Sequence, residues 1–423
     1  MKTNACELLG AYHFNLNSYI KAKNWKSLSS NELIEKSLRS LPFNFNFNKT
    51  CEAKSKKIIN KLTVSLYYLT LPLLAFLIFA YFLFFFYKRG KLASTKETLT
   101  DIFFLRGELS QKRLKNILNI KNNLKECTLV VDDFTSFKLK ISDCKVTYLS
   151  SYLRFEPLKF VGLVLIEIKL ILEDSINNLP FLTQQNLAFS IARVPHLFLL
   201  YMAMDNLCKR HCIEHIRSFE MISRFSSLLN KIVSKYRIPN STGYPHGLEY
   251  DIYYPNSCFG RVIYCTSETA LIALSDRYPD IDFIFDQELI NSLFCFDLMF
   301  QKQRKSVYYT DARNPLSDYD NIKILSNSID FIKLHPSDDK SLYVDIGINF
   351  IDDFIDALSL GIVIMRASTV IFEAQISGCT VYCLATSAKE VYLLRYLYPT
   401  LSSLSVITIT NINDLNNILM RKE

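Results

Sequence analysis

Residues 363–384 read VIMRASTVIFEAQISGCTVYCL, and the pattern of this stretch decides the fold. An apolar, β-branched run too short for a helix is followed by Ser368 and Thr369, a helical stretch, Gly378 and a second apolar run. Short buried strands on either side of a helix form the βαβ unit of a parallel sheet, with the small polar residues at the carboxyl end of the first strand. The alternation continues outward. Before this stretch lie SVYY (306–309), DFIKL (330–334) and a predicted helix over 349–359. Further upstream an equivalent series begins with CTLVV (127–131), read as the first buried strand. It continues through an apolar stretch at 160–172 that suits strand or helix, and a helical period over 197–230. Gly243 and Tyr244 precede a His-Gly turn, followed by RVIYC (261–265), a helix over 267–275 and DFIF (282–285). The fold class expected is therefore α/β, with two Rossmann-like domains facing a cleft, the first over 125–297 and the second over 298–423.

Composition agrees with a globular chain of more than one domain. In 423 residues, 49% are hydrophobic and 21% charged, with 10 Gly and 12 Pro, which excludes disordered and collagen-like classes. The 11 Cys form no CxxC pair and sit among apolar neighbours, as reduced intracellular thiols do. The net charge of +8 is local: residues 1–100 hold 15 Lys/Arg against 5 Asp/Glu, leaving 34 against 36 for the rest. Nucleic acid is not expected as a partner, because tracking phosphates needs basic residues on the domain that binds.

The basic excess surrounds a membrane segment. Residues 62–87, LTVSLYYLTLPLLAFLIFAYFLFFFY, carry no charge over a length that suffices to cross the hydrocarbon layer. Lys54, Lys56, Lys57 and Lys61 precede it, and Lys88, Arg89, Lys91 and Lys96 follow it. With both flanks basic, charge does not orient a span, and a helix lying in the interface or bent at Pro72 would keep both flanks on one side. A single span is the first expectation and the embedded helix the second. Residues 1–61 read as a polar segment of short helices and 88–124 as a basic linker.

Polar residues follow the strands where ligands sit in such sheets. Three clusters stand out: Tyr244-Pro245-His246-Gly247-Leu248-Glu249, Lys333-Leu334-His335-Pro336, and Ser368-Thr369 with Glu373, Ala374 and Gly378. Each alone has an ordinary structural explanation as a loop, a strand terminator or a capped helix. Together, in this order over roughly 238–384, PHG, KLHP and STVIFEAQISG resemble the motifs of bacterial GT-B glycosyltransferases of capsule and lipopolysaccharide synthesis, including sialyltransferases and Kdo-transferring enzymes. The resemblance implies transfer of a sugar, best matched by a CMP-activated acidic sugar such as sialic acid, from a nucleotide donor to a surface-polysaccharide or lipid-linked acceptor. Glycerophosphate transferases, other nucleotide-sugar enzymes on this fold and non-catalytic assembly proteins share parts of the pattern. Two departures are visible: Pro245 stands where Gln is usual, and the acidic pair Asp132-Asp133 lacks the following Gly of the sialyltransferase motif and lies far upstream.

The implied nucleotide site comprises Lys333, His335, Pro336, Ser368, Thr369 and Glu373, with Thr310 and Asp311 added by position after SVYY. His335 and the helix start would stabilise the departing phosphate. His246 would take the acceptor's proton, with Glu249 or Asp251 as the other candidate bases. No cofactor or metal is expected. Cys208, His211, Cys212 and His215 share a helical spacing, but ligands on one straight helix cannot surround a tetrahedral ion, and Asp280-Ile281-Asp282 reads as a strand start. The expected partners are the nucleotide-sugar donor, a glycan or lipid-linked acceptor and membrane lipid. The expected location is the inner membrane, with the catalytic domains in the cytoplasm.

Overall fold

The computed structural model describes residues 50–88, 98–118, 126–135, 144–177, 184–221, 224–249, 259–276, 278–296, 304–311, 315–335, 338–366, 368–386, 398–404 and 406–420, with isolated positions between them. The expectations for 1–49, Asp251 and Pro336 lie outside the described residues.

Two wholly parallel sheets organise the chain. The first contains β1 (Asp101–Leu105), β2 (Thr128–Val131), β3 (Val146–Tyr148), β4 (His215–Ser218), β5 (Asn240–Gly243), β6 (Val262–Cys265) and β7 (Asp282–Phe285), in the order β3-β2-β1-β4-β5-β6-β7. The second contains β8 (Lys305–Tyr309), β9 (Phe331–Lys333), β10 (Asn349–Phe350), β11 (Gly361–Arg366), β12 (Thr380–Leu384) and β13 (Ile407–Ile409), in the order β10-β9-β8-β11-β12-β13. Both orders reverse direction once, at β1/β4 and at β8/β11. This is the doubly wound arrangement that places ligands beyond the carboxyl ends of the strands.

The helices are α1 (Thr50–Lys88), α2 (Glu108–Leu118), α3 (Pro157–Asn177), α4 (Gln184–Arg210), α5 (Arg224–Tyr236), α6 (Glu268–Ser275), α7 (Gln287–Phe294), α8 (Pro315–Ile324), α9 (Phe354–Ser359), α10 (Thr369–Ile376), α11 (Pro399–Ser402) and α12 (Ile412–Met420). Strand alternation decides which face each side chain joins. Phe103, Leu105, Leu129 and Val131 of the first sheet share one buried cluster with Val307, Tyr309, Val363 and Met365 of the second. Leu289 and Leu293 of α7 and Phe372 of α10 close it, and the Phe294 and Phe372 rings lie 5.3 Å apart. The opposite face of the first sheet, with Ile102, Phe104 and Val130, is covered by α3, α4 and α5. The opposite face of the second sheet, with Tyr308, Ile332 and Ile364, packs under α8 and α12.

The structure corrects several sequence expectations. The span 88–124, expected as a linker, holds β1 and α2, and β1 is central to the first sheet. DIFFL is short and stands directly after a basic stretch, which masked it. The helical period over 197–230 breaks at Arg210, and β4 intervenes before α5. In β4, HIRS places His215 and Arg217 on one face, where Arg217 pairs with Asp101 at 2.7 Å, so it lacks a simple apolar alternation. The expected helix over 349–359 divides into β10 and α9, which starts only after Asp353 caps Ile355 and Asp356. Residues 160–172 are helical, within α3.

Candidate active site

The three sequence clusters are built at the carboxyl edges of the two sheets, and two of them meet. After β5, Tyr244 stacks against Phe103 (5.7 Å between centroids) and Tyr264 (5.2 Å), and Pro245 is buried. The unusual Tyr-Pro thus anchors the turn in the core and leaves His246 exposed at its tip. Gly243 cannot carry a side chain here: a Cβ would stand 2.7 Å from the Phe259 carbonyl oxygen. Across from the turn, Ser368 caps α10, its Oγ accepting from Val370 N at 3.3 Å. Leu248 N donates to Thr369 Oγ1 at 3.5 Å, and a Cβ on Gly247 would stand 3.3 Å from the same oxygen. The His246 turn of one sheet is therefore pressed against the helix start of the other.

His335 is exposed at the end of β9 and is aimed by Thr310. Thr310 is buried; its N–H donates to the Lys333 carbonyl at 3.0 Å, and its Oγ1 accepts from His335 N at 2.9 Å. Thr310 thus holds the backbone at His335. Lys333 is half-buried, with Nζ donating to the Leu334 carbonyl at 3.2 Å.

Beneath this loop lies a polar cluster missing from the sequence reading. Arg366, the last residue of β11, donates through Nε to Asp318 Oδ1 at 3.0 Å. Tyr308 Oη donates to the same oxygen at 2.8 Å and Asp311 N to Oδ2 at 2.5 Å. Burial pushes the Asp318 carboxyl up to about 6 while the Arg366 guanidinium pulls it back. Asp311 is thereby tied through its backbone to the first turn of α8.

Two proposed site carboxylates are used elsewhere. Glu249 is buried, accepting from Thr266 N at 2.8 Å and Thr266 Oγ1 at 2.5 Å, and Thr266 Oγ1 in turn lies 2.6 Å from Thr400 Oγ1 of α11. Burial raises its carboxyl to about 7. Glu249 is thus enclosed, with both carboxylate oxygens directed at Thr266. Glu373 is buried in an ion pair with Arg113 of α2 at 2.8 Å. Arg113 also lies over the Phe294 ring at 4.0 Å and donates to the Leu293 carbonyl at 2.8 Å. Glu373 therefore joins α10 to α2. Arg113 escaped notice because its surroundings read as a linker, although the spacing of Leu114, Ile117 and Leu118 marks an apolar helix face.

The acidic pair after β2 is structural. Asp132 is fully buried, accepts from Phe134 N at 3.2 Å and lies 3.2 Å from His196 Nε2, while Asp133 holds Ser150 through its backbone N–H and hydroxyl. Asp280 and Asp282 stand at the amino end of β7, away from the ligand edge. The four residues at 208–215 do not share a helix, since α4 ends at Arg210. His211 Nε2 is 3.2 Å from Tyr152 Oη, and His215 Nε2 is 2.8 Å from Thr242 Oγ1. Among the described residues no group of three or more His, Cys, Asp or Glu is placed to hold a metal ion.

No protein-family model matches the chain, and no curated protein does. Among solved structures it is similar to the wall teichoic acid polymerase TagF. One variant soaked with CDPG aligns at 10% identity and a TM-score of 0.39, over 76% of this chain and 79% of that one. A second variant aligns at 10% identity and a TM-score of 0.39, over 90% and 91%. A likeness of this size carries no argument about chemistry, so the functional reading rests on the site itself.

Proposed function

We propose that the chain is a membrane-associated transferase that moves a group from a nucleotide donor to a surface-polymer or lipid-linked acceptor. The observation that carries this reading is the meeting of the His246 turn with the start of α10, where Leu248 N and Thr369 Oγ1 lie 3.5 Å apart. In this reading the two doubly wound sheets share one site at their carboxyl edges.

In this reading the donor's phosphates lie against the first N–H groups of α10 and the Ser368 and Thr369 side chains, where the helix end favours negative charge. His335, fixed by Thr310, donates to a phosphate oxygen. The acceptor hydroxyl attacks the donor carbon or phosphorus, the bond to the nucleotide breaks with its electron pair leaving on phosphate, and His246 takes the hydroxyl proton. His335 and α10 stabilise the charge that develops on the leaving nucleotide. No residue in this scheme requires a metal.

We assign the donor to the cytidine nucleotides because of the KLHP and STVIFEA motifs, with a CMP-linked acidic sugar as the first candidate and CDP-glycerol as the second. Catalysis is placed on the cytoplasmic side, where such donors are made. The test is transfer by the full chain in membranes, read by product mass: a glycosidic product identifies the sugar, a phosphodiester the glycerophosphate. His335→Ala is expected to lower turnover by roughly 10²–10³ and His246→Ala by about 10²–10⁴, with circular dichroism unchanged. Full transfer by either folded variant would sink the mechanism.

A further inference from the structure

We infer that α1 and α3 form one face that lies in the plane of an anionic bilayer, and that α1 does not cross the bilayer. The inference deepens the membrane association proposed above and rests on that part of it, independently of the transfer chemistry.

Over residues 62–87 helix α1 carries no charge on any side, which is why its sequence resembles a span. The structure divides its sides. Tyr67, Ile78 and Phe82 are buried, with Leu71 and Leu74 packed beside them, a helical stripe directed at the first domain. Tyr67 Oη donates to the Leu165 carbonyl of α3 at 3.0 Å. At the other end the Phe82 ring lies 5.1 Å from Phe160, and the Phe86 ring 5.0 Å from Phe155. The opposite stripe is bare: Leu69 is 80% exposed, Phe76 65% and Phe84 58%, with Leu73 and Leu77 between them. The neighbouring α3 continues the surface with exposed Leu158 and Ile166.

This packing rules against a crossing. One side of the apolar window Tyr67–Lys88, from Tyr67 to Phe86, lies against α3 and the cluster that includes α4, while most of the window stays exposed. Were α1 perpendicular to the bilayer, α3 would be drawn toward the hydrocarbon with its exposed Lys159 and Lys169, at several kcal/mol per charge. An in-plane helix avoids this and explains the two basic flanks. Lys88, Arg154 and Lys169 are exposed and available to one headgroup layer, and the sequence adds basic residues on both sides of the apolar stretch. Cations at both ends of a bare apolar stripe are complementary to anionic headgroups over a hydrocarbon edge. The attachment also has a direction: the Phe85 ring lies 5.8 Å from Phe134, in the loop after β2, so the bound face adjoins the ligand edge of the first sheet.

The experiment measures depth along α1. The chain has 1 Trp, at position 25, so Trp25→Phe provides a silent background for Leu69→Trp, Phe76→Trp and Phe84→Trp in the full-length protein. Each variant is bound to phosphatidylcholine vesicles with or without phosphatidylglycerol. The lipids are brominated either near the head or near the methyl end of the acyl chain. In-plane attachment is expected to give equal quenching at all three positions, strongest for shallow bromines, with binding lost on vesicles without phosphatidylglycerol. Deepest quenching at position 76 and shallower quenching at 69 and 84, which lie about 10 Å to either side along the helix, would show a span and overturn the inference. Absence of quenching at all three would also overturn it. Transfer activity assayed on the same vesicles reports on the catalytic reading separately.

Discussion

At the scale of single residues, the site depends on groups that never meet a ligand. Glu249 sits three positions after His246, and burial lifts its carboxyl from an ordinary 4.5 to about 7. The native state therefore keeps a proton that the unfolded chain releases. Stability falls as pH rises through this interval and stays lowered above it, by about 3 kcal/mol for a gap of this size. In Glu249→Gln, which retains an acceptor for Thr266 N, this part of the pH dependence should vanish. Urea midpoints of parent and variant should then diverge between about pH 5 and about pH 7.5; parallel curves would mean that Glu249 is ionised in the native state. Gly243→Ala places a methyl group against the Phe259 carbonyl and should cost about 1–3 kcal/mol. Denaturation reads that loss, and unchanged stability would show that the loop before β6 yields freely.

At the scale of elements, α2 and α10 are joined through Arg113 and Glu373, a buried pair 2.8 Å apart. Among the described residues Arg113 Nε has no hydrogen-bond partner, so the pair is not fully compensated there for its lost hydration. Removing only one member, as in Arg113→Met, should cost about 3–5 kcal/mol because Glu373 is left charged and buried. The double variant Arg113→Met/Glu373→Met should recover most of that loss, and a purely additive double variant would contradict a direct pairing. The strands of the second sheet were legible in the sequence because SVYY, VIM and TVYCL are uninterrupted apolar runs between polar loops. Ser368 was equally legible as a cap, since a hydroxyl before a helical run has few other uses. The sequence reading missed β1, β3, β4, β10 and β13 because they are short and owe their conformation to neighbouring strands. The partners of Glu249 and Glu373 were not legible, because a buried partner distant in the chain leaves no local trace: Thr266 is 17 positions away and Arg113 260.

At the scale of the whole molecule, the two sheets share a buried cluster, and the His246 turn, His335 and the start of α10 occupy their ligand-binding edges. The central claim is that this edge binds a nucleotide through His335 and α10. The most direct test is calorimetry on the full chain in membranes with CMP, UDP, GDP and CDP-glycerol, comparing the parent with His335→Ala. Nucleotide binding to the native state also raises apparent stability, which gives a second readout. Selective binding of a cytidine nucleotide is expected, weakened at least tenfold, about 1.4 kcal/mol, in folded His335→Ala. Absence of binding by any of the four to the folded parent, or equal binding by the variant, would contradict it.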